Sequence, residues 1–239
     1  MMQIAIVLYP GVTALDFVGP YEMLRHLPGA RVTFVGHTVG PVATDSGVLL
    51  VGTTHTFSEI PSTDLVLVPG GPGALAAARD EAMLDWLRAV HPSATWTASV
   101  CTGSLILAAA GLLASRRATS HWSALSALKT FGVTPVADER IVVHDDVVTA
   151  AGVSAGLDLA LWLAARIAGD DRAKTIQLVN EYDPQPPFDS GHLTKASART
   201  QAGATALLAK DVCKPAALQA ATLLLWDQAM RRVRTKLSR

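Results

Sequence analysis

The run Ser99-Val100-Cys101-Thr102-Gly103-Ser104 places one cysteine where a strand-like segment gives way to a helical one. In parallel sheets, ligands gather beyond the carboxyl ends of the strands, so a side chain at such a turn faces a site rather than the core. A thiol at a helix N-terminus also meets partial positive charge, which favours thiolate, the form that attacks electrophiles. An unperturbed thiol is only a few per cent ionised near neutral pH. Cys101 is therefore the candidate nucleophile, with an inert buried cysteine as the alternative. Thr102 follows it, and its backbone N–H is a candidate anion donor.

Three other segments bring chemistry to the same end of the fold. Gly70-Gly71-Pro72-Gly73 closes a strand, and glycines there let backbone N–H groups approach a ligand, so Gly70 and Gly71 are expected to line an oxyanion or substrate pocket. Asp16, in Thr13-Ala-Leu-Asp16-Phe-Val-Gly-Pro20, leaves the first strand; it is either a helix-capping residue or an acid. Beside Cys101 it would share a proton with the thiol, because two acidic groups in contact do not both ionise cheaply. His121, in Ala118-Thr-Ser-His-Trp122, is a candidate general base or an ordinary structural histidine. The other histidines lack metal-ligand spacing with Cys or carboxylates, so no metal is expected. There is no phosphate-cradling G-x-x-x-x-G-K and no G-x-G-x-x-G opening the first helix, and no cofactor is expected. Cys213 sits in a polar stretch without helper residues.

These residues need a scaffold, and strand-like runs alternating with helical ones supply it. Strands are expected at Ile4–Leu8, Arg31–Val35, Asp64–Pro69, Thr95–Val100 and Val147–Gly152. Helices are expected to open at Gly19-Pro20 and run to Leu27, and to cover Ala82–Val90, Thr102–Leu113 and, capped by Ser154, Ala155–Ala168. The fold class is α/β, a three-layer, flavodoxin-like sandwich around a mostly parallel sheet. Residues 1–190 form that domain and 191–239 a helical extension. The helices at 155–168 and 215–233 are apolar nearly all round, which points to burial in a core or in a homodimer. Asp183-Pro-Gln-Pro-Pro-Phe188 is an extended excursion.

The chain has 239 residues, half of them hydrophobic, and equal numbers of acidic and basic side chains. That is enough for a sizeable core, and a neutral surface gives no reason to expect nucleic acid or an acidic membrane. The basic run at 230–236 reads as a solvated helix end. No run reaches the length of a membrane span and no signal-peptide pattern precedes Gln3, so a cytoplasmic protein with reduced thiols is expected.

Taken in order, Leu15-Asp16-x-x-Gly19-Pro20, Pro69-Gly-Gly-Pro-Gly73, Ser99-Val-Cys-Thr-Gly103, Ala108-Ala-Ala-Gly-Leu-Leu113 and Ala118-Thr-Ser-His-Trp122 resemble the ThiJ/PfpI superfamily, built on the class I glutamine amidotransferase-like fold. Gly152-Val-Ser-Ala-Gly-Leu-Asp158 and Glu181-Tyr-Asp-Pro-Gln-Pro-Pro-Phe188 look like its isonitrile hydratase branch. The resemblance implies Cys101 as nucleophile, Asp16 as acid/base, Thr102 beside them, and Val153 in the pocket. It implies hydration of a small-molecule isonitrile to a formamide through a thioimidate, without a cofactor. A glyoxalase-like enzyme and a sensor module related to AraC-type regulators are the alternatives. One departure from the branch is Thr149-Ala150-Ala151-Gly152, where a Gly-rich strand is common.

Overall fold

The computed structural model describes residues 1–212 and Leu224. Its strands are β1 (Met2–Val7), β2 (Ala30–Gly36), β3 (Gly40–Ala43), β4 (Leu50–Thr53), β5 (His55–Thr56), β6 (Leu65–Val68), β7 (Trp96–Val100), β8 (Arg117–Ala118), β9 (Thr134–Pro135), β10 (Ile141–His144) and β11 (Val147–Ala150). Its helices are α1 (Ala14–Leu24), α2 (Ala74–Ala77), α3 (Glu81–Val90), α4 (Gly103–Ala109), α5 (Ala155–Ala168), α6 (Asp170–Val179) and α7 (Ala198–Val212).

Short apolar runs with no polar face make strands that are covered on both sides. Ile4 to Val7 and Leu65 to Val68 are fully buried. They sit at the centre of a seven-stranded sheet ordered β10-β11-β7-β6-β1-β2-β5. Every neighbour in it is parallel except the edge pair β10–β11, which is antiparallel. The order reverses between β1 and β6, which opens a crevice at their carboxyl ends. Helices α1, α5 and α6 pack together on one face and α2, α3 and α4 on the other, giving the three-layer α/β sandwich. A separate hairpin, β3–β4, lies over the β1–α1 connection, tied by Gly11 N–H to Ala43 O and Asp45 N–H to Val12 O, at 2.9 and 3.0 Å.

Two boundaries differ from expectation. The first helix opens at Ala14, five residues before Gly19, and Pro20 lies inside it. Proline removes the N–H that would bond the carbonyl four residues back, here that of Asp16. The helix keeps Pro20 because its ring is a packing surface: a methyl added at Gly156 of α5 would stand 3.0 Å from Pro20 Cγ. The helix after Cys101 ends at Ala109 rather than Leu113. Helix α5 covers 155–168 as expected and lies against α1 and α6, so much of its apolar surface is buried within the chain. Within the extension, α7 is described; the helix expected at 215–233 and Cys213 lie outside the described residues. No helix among the described residues is long and apolar enough to cross a membrane.

Candidate active site

β7 is buried from Thr97 onward and delivers Cys101 to the end of the sheet at φ 58°, in the left-handed region. A non-glycine residue there is strained by about 1 kcal/mol or more. Backbone contacts hold it: Cys101 N–H donates to Ala150 O at 3.1 Å and Ala151 O at 3.0 Å. Gly103 opens α4 directly against β6, where a Cβ would stand 2.1 Å from Val68 O. Cys101 is 5% exposed.

Asp16 arrives from the first turn of α1 and is fully buried. Its Oδ2 accepts from Gly70 N–H at 2.9 Å. Oδ1 has no partner at regular hydrogen-bond geometry, and the Cys101 thiol is the side chain that couples to the carboxyl. Burial raises Asp16 from an ordinary carboxylate value to about 7; the Gly70 and Cys101 hydrogen bonds act the other way, and nearby Asp45 adds to the rise. Burial likewise pushes the Cys101 thiol well above its usual range, and the Asp16 charge pushes further. The N–H groups of Val153 and Thr102 donate to the sulfur and offset part of this. The helix-end argument for a low thiol pKa therefore fails. Loss of water around sulfur outweighs the field of a seven-residue helix. What the site holds is a coupled pair that is uncharged below about pH 7 and carries one negative charge above it.

The glycine segment contributes differently from expectation. Gly70 N–H is taken by Asp16 and Gly71 N–H by Thr102 Oγ1 at 2.8 Å, whose hydroxyl in turn donates to Gly71 O at 3.1 Å. Neither N–H is free for a substrate oxygen. The donors facing the sulfur are those of Thr102 and Val153, and Val153 is itself at φ 26°, unusual for a β-branched residue. His121 is held outside the pair, with Nδ1 2.7 Å from Ser123 Oγ and its ring so close to Gly152 that an added Cβ would stand 2.5 Å from Cδ2. No described hydrogen bond joins it to Cys101 or Asp16, and burial lowers its pKa, so it is neutral near pH 7. Among the described residues, no three of His, Cys, Asp and Glu come together as a metal site.

A model of the DJ-1/PfpI family matches residues 2–166. The chain belongs to the DJ-1/PfpI family. It is 45% identical to the isonitrile hydratase of Pseudomonas putida over 80% of this chain and 82% of that one. It is 32% identical to the HTH-type transcriptional regulator CdhR of Pseudomonas aeruginosa, over 70% of this chain but only 51% of the regulator. A crystal structure of a ThiJ/PfpI family protein from Pseudomonas syringae superposes with a TM-score of 0.85 at 39% identity, covering 93% of this chain and 90% of the other.

The sequence did not single out Tyr9, Asp45, Ser104 or Ser120. Tyr9 leaves β1 beneath the pair; its hydroxyl donates to Pro69 O at 2.8 Å, and burial, then the charges on Asp16 and Cys101, keep it neutral. Asp45 comes from the β3–β4 turn and takes a 2.7 Å hydrogen bond from Thr13 Oγ1. That bond uses the hydroxyl of the α1 N-cap, which caps nothing. Only the position of Tyr9 at a strand exit could have flagged it.

Gly70 shows how tightly the segments meet. A Cβ there would stand 2.5 Å from Thr102 N, 2.6 Å from Thr102 Oγ1 and 2.9 Å from Asp16 Oδ2. Gly70→Ala is therefore expected to leave a folded protein with at least about tenfold lower turnover, because an ångström of misplacement at a reacting pair has that scale or greater. Circular dichroism with steady-state rates checks it; wild-type turnover would refute the tight fit.

Proposed function

We propose that this chain hydrates isonitriles to N-substituted formamides, with Cys101 as nucleophile and Asp16 as acid and base. The observation that carries it is the buried Cys101–Asp16 pair at the strand-to-helix turn, in a chain 45% identical to an isonitrile hydratase.

The pair keeps one proton to place. In the reactive form it sits on Asp16 and the sulfur is thiolate, steadied by the N–H groups of Thr102 and Val153. The sulfur attacks the terminal carbon of R–NC, forming a C–S bond and leaving an electron pair on that carbon. Asp16 gives its proton there, and the product is a thioimidate, R–N=CH–S–Cys101. The Asp16 carboxylate then draws one proton from a water whose oxygen bonds to the same carbon. The second water proton ends on nitrogen, the C–S bond breaks, and R–NH–CHO leaves. Thiolate and carboxylic acid are restored, so water and isonitrile are the only reactants. Asp16 thus gives a proton to carbon and takes one from water, acid and base in turn, as general acid/base catalysis requires.

Homodimer assembly belongs to the same proposal; Leu15 and Val18 on α1 remain exposed and apolar. The test is a parallel assay. Purified protein, treated with a chelator, is expected to form N-aryl formamide from an aryl isonitrile faster per site than it consumes methylglyoxal. Chromatography follows the first and carbonyl derivatisation the second. Absence of formamide across aryl and alkyl isonitriles would overturn the hydratase reading and leave a glyoxalase-like or sensor role.

A further inference from the structure

The peptide unit joining Cys101 to Thr102 is gripped on its carbonyl side. Ser104 Oγ and Ser120 Oγ each donate to the Cys101 carbonyl oxygen at 3.1 Å. Both serines are buried, at 0% and 2% exposure. A regular helix would give that carbonyl the N–H of the residue four further on. Here Leu105 N–H goes instead to Thr102 O at 3.0 Å, because the left-handed Cys101 turns its own carbonyl out of the helical path. The two hydroxyls take the place of that donor.

The grip reaches the sulfur through the covalent geometry of the amide. A trans peptide is planar, with its C=O and N–H on opposite sides. Fixing the oxygen of residue 101 fixes the direction of Thr102 N–H, one of the two backbone donors to the sulfur. Hydrogen bonds received by the carbonyl also polarise the amide and strengthen its N–H as a donor. Ser104 is local to α4, whereas Ser120 comes from the segment after β8, nineteen residues away. The next residue, His121, lies against Gly152, which precedes Val153, the other donor. One loop thus braces both.

We propose that Ser120, together with Ser104, is a positioning residue that acts through the 101–102 peptide to hold Thr102 N–H on the Cys101 sulfur. The proposal rests on Cys101 as the reacting group but not on which substrate it meets. Asp16 from α1 and Tyr9, which follows β1, interact with the sulfur; Asp45 from the β3–β4 turn acts on Asp16, and His121 follows Ser120 on the loop after β8. All are retained in every variant below.

The test is the rate of Cys101 alkylation by iodoacetamide between pH 6 and 10, read by peptide mass spectrometry. Ser120→Ala is expected to move the profile to higher pH and to slow labelling at pH 7 to 8 by about three- to tenfold, the equivalent of one hydrogen bond. Ser104→Ala moves it the same way and the double variant further. Ser120→Thr, which keeps the hydroxyl, restores the wild-type profile. Ser99→Ala is the control; it removes a buried hydroxyl in β7 that has no hydrogen-bond partner and leaves the profile unchanged. Should Ser120→Ala fail to fold, Ser104→Ala alone decides the matter. An unmoved profile in Ser120→Ala, or in Ser104→Ala where Ser120→Ala does not fold, or an equal shift in Ser99→Ala, would overturn the proposal. A moved profile in a protein that makes no formamide would strike the hydratase reading alone, and an unmoved profile in an active hydratase would strike this one alone.

Discussion

Asp16→Asn is expected to lower formamide formation at least about a hundredfold, the usual scale for a lost general acid/base, while making Cys101 easier to alkylate at alkaline pH. The two effects have opposite signs for one reason. In the wild type the carboxyl titrates near 7 and the thiol far above it. Below about pH 7 the carboxyl is already neutral, so the substitution changes labelling little. Above that pH, the wild type carries a carboxylate that opposes a second charge on sulfur, and asparagine does not. The ratio of variant to wild-type labelling therefore grows as pH rises past 7. A ratio flat across pH 6 to 9 would show that the two groups do not interact. Stability gives an independent check. A carboxyl held at about 7, against an ordinary 3.8, favours the folded state below pH 4, and that contribution is lost as pH rises through 7. The wild type should lose roughly 4 kcal/mol at most over that window relative to Asp16→Asn, since each tenfold change in an acid's ionisation constant is worth about 1.4 kcal/mol. Melting curves at pH 4.5 and 7.5 would read it.

Cys101→Ala is expected to abolish turnover, leaving only the solvent reaction. Activity above that background would remove the nucleophile from the mechanism. The backbone at this position makes a second substitution informative. With φ at 58°, Ala keeps the strain and Gly releases it. Cys101→Gly is expected to exceed Cys101→Ala in stability by about 1 kcal/mol, the reverse of the order in ordinary helix or strand. Equal or lower melting for the Gly variant would mean that the elbow is not strained.

The sheet was legible because its central strands are uninterrupted apolar runs, and Cys101 was legible because it ends one of them. Gly70, Gly71 and Thr102 meet beside Asp16, but their hydrogen-bond partners were not foreseeable. Whether a backbone N–H faces a ligand or a carboxyl depends on how three chain segments dock. Pro20 misled about where α1 starts, since proline signals a first turn by its missing donor, while here its ring fills the space against Gly156 of α5. The direction in which the thiol pKa moves was missed for a related reason. A helix end is visible in a sequence, whereas desolvation by α1, the 70–71 turn and the 152–153 turn together is not. Ser120 carries no local mark, because its partner lies nineteen residues upstream.

The charge state of the buried pair also acts as a filter on what can enter. The charged groups that bear on Asp16 and Cys101 are themselves acids, and among the described residues no lysine or arginine joins them. A carboxylate or phosphate arriving there above pH 7 would add a second anion beside a buried charge, where no lysine or arginine among the described residues bears on the pair. A small neutral dipole meets no such penalty, and the Thr102 and Val153 N–H groups donate to the sulfur that would meet it. Under the proposed function, discrimination by charge would follow from the same burial that delays ionisation of the thiol.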